Sequence, residues 1–359
     1  MMKFSFGSAA AVAATALVLT SCGAPEDSAT NNGSNNGASA ASGTGTLNIA
    51  CSQQEIFCQK MSQAFEDETG IETTYVRLGA GEVIARLKTN QGEFDVWSGG
   101  QAENHLVAHE DGNIEPYISD NAAALPAEYN DEEGLWTGFY TDSIGFCSNQ
   151  DELDRLGVDA PTSWDDLLKP EFAGQISMPH PATAGVGYMI IYTLHQLYGG
   201  DDAKVLEYLS NLDNNVVQYS KSAATGTQMA GRGEAAVGIA LDSDCVMAQE
   251  EGFSNLEYTY PEEGTGYEVG AVSLLKGAPN TEEAQRYFDW IVSAEAQNLY
   301  PEVPTYAAPT HPDAVLGEGI PDQNKVNKVD WDVADAAARK ADLNGLFESR
   351  IASSEEAAE

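Results

Sequence analysis

Two hydrophobic periods alternate along this chain. Leu47-Asn48-Ile49-Ala50-Cys51 is a short apolar run that predicts a strand. Residues 55–70 (EIFCQKMSQAFEDETG) space their apolar positions three and four apart, the period of a half-buried helix, and stop at a glycine. Residues 72–78 predict a second strand, 81–90 a second helix, and 94–100 (FDVWSGG) a third strand that runs into two glycines. Strands alternating with helices predict a parallel sheet covered on both faces, because parallel neighbours need a helical crossover.

The pattern then starts again. Residues 136–149 form a long strand-like stretch and 174–178 a short one; 186–200 is helical, 215–220 and 235–241 are strand-like, and a helix follows to Gly252. Residues 256–261 and 267–277 read as strands heading back, and 281–300 as a single amphipathic helix. From Thr46 onward the chain has room for two domains at about 100–200 residues each, so two α/β units fit it better than one.

Open parallel sheets collect ligands beyond the carboxyl ends of their strands, where loops lead into helix starts. Here those loops are Cys51-Ser52-Gln53-Gln54, Gly79-Ala80-Gly81, Ser98-Gly99-Gly100, Pro181 to Gly187, Tyr219-Ser220-Lys221-Ser222 and Asp242-Ser243-Asp244. Each one alone reads as turn chemistry. Together they are rich in small and hydroxyl residues that let backbone amides approach a ligand, and residues 176–190 (ISMPHPATAGVGYMI) place Thr183, Ala184, Gly185 and Gly187 at a helix doorway. Free N–H groups at such a doorway carry partial positive charge and suit an anion.

The first residues say where such a receptor would work. Lys3 precedes an apolar stretch from Ala9 to Leu19, too short to span a bilayer as a helix, so residues 1–21 are expected to be a signal peptide. Leu19-Thr20-Ser21-Cys22 resembles a bacterial lipobox, which implies lipidation at Cys22; the alternative is an ordinary cut near Ala24. Residues 22–45 (CGAPEDSATNNGSNNGASAASGTG) hold almost nothing that could build a core and read as a flexible tether. The protein is thus expected to be exported, and lipid-anchored to the outer face of the cell membrane or periplasmic.

Charge narrows the partners. Lys and Arg number 17 against 56 Asp and Glu, a formal net charge of −39, which repels nucleic acid and anionic lipid. The acids are spread along the chain, so they read as a solvated acidic surface rather than a binding tract. After the signal, Cys51, Cys58, Cys147 and Cys245 allow three disulfide connectivities, and no CxxC pair points to zinc.

The chain is similar to the extracellular solute-binding proteins of ABC importers, type II periplasmic-binding-protein fold, in the branch that includes ferric-ion, hexose-phosphate, phosphoglycerate and 2-aminoethylphosphonate binders. The matching residues are AFEDETGIET, FDVWSGG, GLWTGFYTDSIGFCSN, SWDDLLKPEFAGQISMPHPATAGVGY, GRGEAAVGI and PEEGTGYEVGAVSLLKGAPN, spread over about residues 46–310. The resemblance implies two doubly wound α/β domains joined by a crossover-strand hinge: domain I from 46–141 and 264–359, domain II from 142–263. Gly138 to Asp142 would cross outward and Gly264 to Val272 would return. A hinge that moves leaves no room for a cross-domain disulfide, so pairing is expected as Cys51–Cys58 and Cys147–Cys245.

The same resemblance implies a cleft formed by Ser52, Gln53, Ser98, Gly99, Gly100, Tyr140, Thr183, Ala184, Gly185, Lys221, Ser222, Asp242 and Asp244. Iron-binding members carry a histidine after the first strand and tandem tyrosines where this chain has Ser243-Asp244; Gln54 stands at the histidine position, so a ferric site lacks its ligands. The hydroxyl and glycine loops SGG and PATAG match the phosphate and phosphonate binders instead. A small anionic solute such as a sugar phosphate, phosphoglycerate or 2-aminoethylphosphonate is expected, delivered by a monomer to a membrane permease. Lys221 and Arg77 are the basic residues placed near the cleft. Asp242 and Asp244 either cap a helix or hold an ammonium group or sugar hydroxyls. A polyamine or thiamine-type cation bound by these aspartates, a ferric-ion binder, and a surface lipoprotein with no small-molecule ligand are the alternatives.

Turnover is not expected. There is no GxSxG elbow, Walker loop or HExxH. His105 and His109 stand i,i+4 on a helix without a third ligand and read as a solvated face; His180, between two prolines, reads as a turn residue. No cofactor and no metal is implied.

Overall fold

The computed structural model describes residues 45–352; the expected signal segment, Cys22 and the tether up to Thr44 lie outside the described residues. The first lobe is built from Thr46–Cys51 (β1), Glu55–Thr69 (α1), Glu72–Arg77 (β2), Ala80–Thr89 (α2), Val96–Gln101 (β3), Ala102–Glu110 (α3) and Ile114–Glu115 (β4). β1 lies between β2 and β3 and is parallel to both, as the alternation predicts. Its Leu47 and Ile49 meet Phe57, Met61 and Phe65 of α1 in one buried cluster. Gly70 ends α1 at φ 71°, a conformation that glycine adopts without a Cβ penalty.

Thr137–Asn149 (β5) is buried along its whole length and serves both lobes. Beyond it come Gln150–Leu156 (α4), Ile176–Pro179 (β6), Gly185–Leu197 (α5), Asp202–Asp213 (α6), Val216–Ser220 (β7), Ala223–Gly231 (α7), Val237–Leu241 (β8), Asp242–Glu250 (α8) and Leu256–Thr259 (β9). The chain returns through Tyr267–Leu275 (β10) to Thr281–Ile291 (α9), Ala294–Gln297 (α10) and Ala308–Pro309 (β11), and then to Val333–Phe347 (α11). The sheet order is β2-β1-β3-β10-β5-β8-β6-β7.

β5 pairs antiparallel with β10 over 137–143 and antiparallel with β8 and β9 over 144–149, so one strand carries two half-sheets. A second chain crossing runs beside it: the Ile144 N–H donates to Gly266 O at 3.0 Å, and Thr265 Oγ1 donates to Ile144 O at 2.8 Å. This junction packs backbone on backbone. A Cβ on Gly145 would stand 2.4 Å from Thr259 O, and one on Gly270 would stand 1.9 Å from the Tyr140 ring.

Each disulfide stays inside one half-sheet. Cys51 bonds Cys58 across a Cα separation of 6.0 Å, and Cys147 bonds Cys245 across 5.7 Å, so neither ties the two lobes together.

Two features differ from the sequence pattern. The single helix expected over 281–300 breaks because Ser293 Oγ accepts from the Ala296 N–H at 3.2 Å and starts a new helix. The segment after 330, which the resemblance assigns to domain I, buries Leu343, Phe347 and Ile351 in the cluster built around α5 and α6. Those apolar side chains find their cover there.

Candidate functional site

The strand ends of the two half-sheets face a cleft of about 390 Å³, lined from the first lobe by Ala80, Gly81, Gly100, Gln101 and Asn104, from the second by Thr183, Gly185 and Val186, and by Glu268 and Lys340. The first turns of α2 and α5 open onto it. Their N-cap residues, Gly79 and Ala184, make no side-chain cap, as is also true of the residues that precede α1, α3, α8 and α9; on α2 the Glu82 carboxylate turns back to accept from the Gly79 N–H at 3.2 Å. The first-turn N–H groups and positive ends of both helix dipoles therefore open onto the same space, with the Glu82 carboxylate offsetting part of that field at α2.

Gln101 joins the walls: its amide donates to Met189 Sδ on α5 at 2.8 Å and to Glu268 Oε2 at 3.3 Å. A Cβ on Gly185 would lie 3.0 Å from that flexible amide, whereas a Cβ on Gly187 would lie 2.5 Å from the Pro179 carbonyl oxygen and 2.7 Å from backbone atoms of His180 and Pro181. Alanine at Gly187 is expected to destabilise the fold by about 2 kcal/mol or more, and alanine at Gly185 by under about 1 kcal/mol. Denaturant unfolding checks this, and equal losses would contradict the packing.

The carboxyl end of β3 is held from behind. Gly99 and Gly100 sit at φ 91° and 83°, a region that disfavours side chains. His105 is fully buried, stacks on Trp97 with centroids 4.0 Å apart, and places Nε2 3.1 Å from Gly99 O and Nδ1 2.7 Å from Ser273 Oγ. Burial lowers its pKa to about 3, so the ring is neutral. This corrects the solvated reading of the 105/109 pair: His105 braces the glycine loop from the core.

The floor is acidic. The Tyr140 hydroxyl donates to Glu268 Oε1 at 3.2 Å. Burial pushes Glu268 up to about 7, and burial with the charges of Glu268 and Asp242 pushes Asp244 up to about 7. Asp142 is 3% exposed; burial first, then the charges of Asp242 and Glu268, raise it well above the carboxylate range. The Oδ1 of that carboxyl has no hydrogen-bond partner among the described residues. Asp242 is different: its oxygens accept from the backbone N–H groups of Ser143 at 3.3 Å and Ser243 at 2.9 Å, from Tyr260 OH at 2.8 Å and from Gln323 Nε2 at 2.5 Å.

The residues anticipated from sequence divide accordingly. Gly100, Thr183 and Gly185 line the cleft, Gly99 and Ala184 are their chain neighbours, and Tyr140 reaches the cleft through its bond to Glu268; Asp244 feels the charge of Glu268 but is not among the lining residues. Ser98 does not face it, because its hydroxyl is buried 3.0 Å from that of Tyr287. Asp242 is spent on protein donors. Ser52 Oγ accepts from Trp97 Nε1 at 2.9 Å, and Gln53 Oε1 accepts from the Gln54 N–H at 2.8 Å. Lys221 is exposed and Ser222 caps α7, while the exposed Arg77 donates to Gln53 O at 3.2 Å. His180 is a turn residue, its Nδ1 accepting from the Ala182 N–H at 3.2 Å. Gln101, Asn104, Asp142, Glu268 and Lys340 escaped the sequence reading, because a search for small residues at strand ends passes over charged side chains within strands and on a distant helix.

A larger hollow of about 520 Å³ lies between Tyr129, His311 and Lys328. Only short 3-10 turns at Pro126 and Asp322, and no α-helix start among the described residues, open onto it, and the Lys328 ammonium is already held by the Tyr129 hydroxyl at 2.9 Å and the Tyr267 ring, so the smaller cleft is the better candidate. Among the described residues no group of three or more His, Cys, Asp or Glu is placed to hold a metal ion, and no helix is long and apolar enough to cross a membrane.

Comparison with known proteins gives the family and the fold. Residues 103–337 match the family model described as bacterial extracellular solute-binding protein. An uncharacterised protein of Haemophilus influenzae is 35% identical over 267 residues, 72% of this chain and 76% of its own length. A Salmonella typhimurium protein with the provisional name 2-aminoethylphosphonate-binding periplasmic protein is 28% identical over 253 residues, 68% of this chain and 72% of its own. Among solved structures, the periplasmic binding protein AfuA from Actinobacillus pleuropneumoniae, with exogenous fructose-6-phosphate bound, superposes with a TM-score of 0.77 at 31% identity, covering 86% of this chain and 99% of that one.

Proposed function

The chain belongs to the bacterial extracellular solute-binding protein family, the solute-binding components of ABC transporters, and from that premise we propose that its solute is a small phosphonate or organophosphate bearing an amino group. The anionic end is held by the first turns of α2 and α5 and the Gly99-Gly100 loop, and the ammonium end by Asp142, Asp244 and Glu268. One observation carries this reading: a cleft walled by the first turns of two helices is lined by Glu268, whose partner across the strands, Asp142, buries a carboxyl with no hydrogen-bond partner for its Oδ1 among the described residues. Helix starts attract the phosphonate, and the orphaned oxygen with its raised neighbours is relieved by a cation. A relative named for 2-aminoethylphosphonate and a neighbour with a sugar phosphate bound support the anionic half.

In this reading the lobes close about the β5 and β10 crossing, and the protein works as a monomer, tethered through Cys22, that hands its solute to a permease. Binding without turnover is sufficient. A solute at 100 times its dissociation constant adds about 2.7 kcal/mol of stability, so 2-aminoethylphosphonate is expected to raise the unfolding midpoint and shrink the particle in small-angle scattering. A midpoint indifferent to phosphonates and sugar phosphates would sink the anionic reading. A response to putrescine alone would put a purely cationic solute in its place.

A further inference from the structure

The C-terminal helix touches both walls of the cleft. α11 packs against α3 of the first lobe and against α5 and α6 of the second. Just ahead of it, Trp331 Nε1 donates to Glu103 Oε1 on α3 at 2.7 Å. On the other side Tyr192 OH donates to Asp335 Oδ2 at 2.8 Å, Tyr188 OH donates to Ala336 O, and Arg339 reaches both oxygens of Asp202 at 2.9 Å. A segment bonded to two lobes that hinge about β5 must move or strain whenever they do.

Lys340 follows Arg339 and lines the cleft together with Gly100, Thr183, Gly185 and Glu268. It is half-buried, its ammonium stands 5.5 Å from the Tyr188 ring centre, and it makes no ion pair among the described residues. Lys328, beside the larger hollow, also lacks a carboxylate partner, but its ammonium is held by the Tyr129 hydroxyl at 2.9 Å, whereas that of Lys340 makes no hydrogen bond among the described residues. Arg86, Lys88, Arg155, Lys169, Lys204, Arg232 and Lys325 each have a carboxylate within 4.0 Å and stand away from this cavity. An ammonium with three donors and no carboxylate in contact is available to an arriving anion.

We propose that α11 is part of the binding site: it straps the two lobes and sets the Lys340 ammonium against the anionic group of the solute, so that solute capture and the docking of α11 are one coupled event. This rests on the reading of the cleft as an anion site and adds the cation that reading lacks. It also explains how a strongly acidic protein holds an anion, since a half-buried ammonium near a desolvated phosphonate acts where salt screens it little.

The test is calorimetric titration of the full chain with 2-aminoethylphosphonate, run on wild type, Lys340→Gln, Lys340→Arg and the exposed, remote Lys276→Gln, with hydrogen exchange of residues 333–347 followed with and without the same probe. The strap predicts at least a tenfold loss for Lys340→Gln, near-wild-type binding for Lys340→Arg, less than a twofold change for Lys276→Gln, and slower exchange of α11 when the probe is bound. The unfolding midpoint of solute-free Lys340→Gln shows whether it is folded; if it is not, the exchange measurement on wild type decides. Wild type that binds while Lys340→Gln binds equally well, or α11 exchange that ignores the probe, overturns the assignment and leaves the anion site standing. Wild type that binds no phosphonate removes the anion site and this assignment with it.

Discussion

Alanine at Asp242 is expected to cost the folded protein about 3–5 kcal/mol, whereas alanine at Asp244 is expected to spare or raise stability and to abolish tight binding. Asp242 is fully buried and accepts four hydrogen bonds, from Ser143, Ser243, Tyr260 and Gln323, that tie β5, the start of α8 and the returning chain into one knot. Truncation would leave those donors without an acceptor in a low-dielectric interior. Asp244, two residues on, accepts no hydrogen bond among the described residues, and its pKa of about 7 reports repulsion and desolvation borne without return until a cation arrives. Urea unfolding at pH 8 with titration of 2-aminoethylphosphonate separates the two roles. Equal loss of stability in both variants would contradict them.

The alternation of strands and helices from Leu47 to Leu275 was legible because it depends on local periods that each segment carries alone. Gly99, Gly100 and the Thr183 to Gly185 doorway were legible for the same reason: positive φ and bare helix starts demand small residues wherever they occur. The division of labour between Asp242 and Asp244 was not, since it turns on Gln323, a residue 81 positions away that reaches back to one of them. Nor was the role of His105, whose i,i+4 spacing with His109 is the same on a solvated face or a buried one; the stacked Trp97 and the Ser273 contact come from other strands. Lys340 was invisible because nothing in its Ala-rich surroundings says that the last helix returns to the cleft.

The second large effect is one of pH. Asp142, Asp244 and Glu268 have folded pKa values raised above their unfolded ones, to about 7 for the latter two. Between the unfolded values near about 4 and that point the folded protein holds more protons than the unfolded chain, so stability falls as pH rises through this window and levels off above about 7. For Asp244 and Glu268 the penalty is complete at pH 8 and relieved toward pH 5; Asp142, raised well above the carboxylate range, and the buried Glu103 and Asp242, also raised, act in the same direction. Each tenfold change in a carboxyl's proton affinity on folding is worth about 1.4 kcal/mol, so the solute-free protein is expected to be more stable at pH 5 than at pH 8 by about 3 kcal/mol or more. Asp166, Glu234 and Asp322, held below their usual values by Lys169, Arg232 and Lys325 beside them, withdraw their contribution only as pH falls below the ordinary carboxylate range. Denaturant unfolding across this range checks the sign. Stability that stays level or climbs from pH 5 to pH 8 would remove the cluster from the account.

A bound ammonium replaces those protons, so the solute's amino group should count most where the carboxyls are ionised. Calorimetric titration of the full chain with 2-aminoethylphosphonate and with ethylphosphonate, which shares the phosphonate and lacks the amine, isolates that contribution at pH 8. An ammonium in contact with buried carboxylates makes charge-assisted hydrogen bonds, and the expected advantage of the amino compound is about 100-fold, or near 3 kcal/mol. Equal affinity for the two compounds, or binding of neither, would contradict a cleft built to hold an anion at one end and an ammonium at the other.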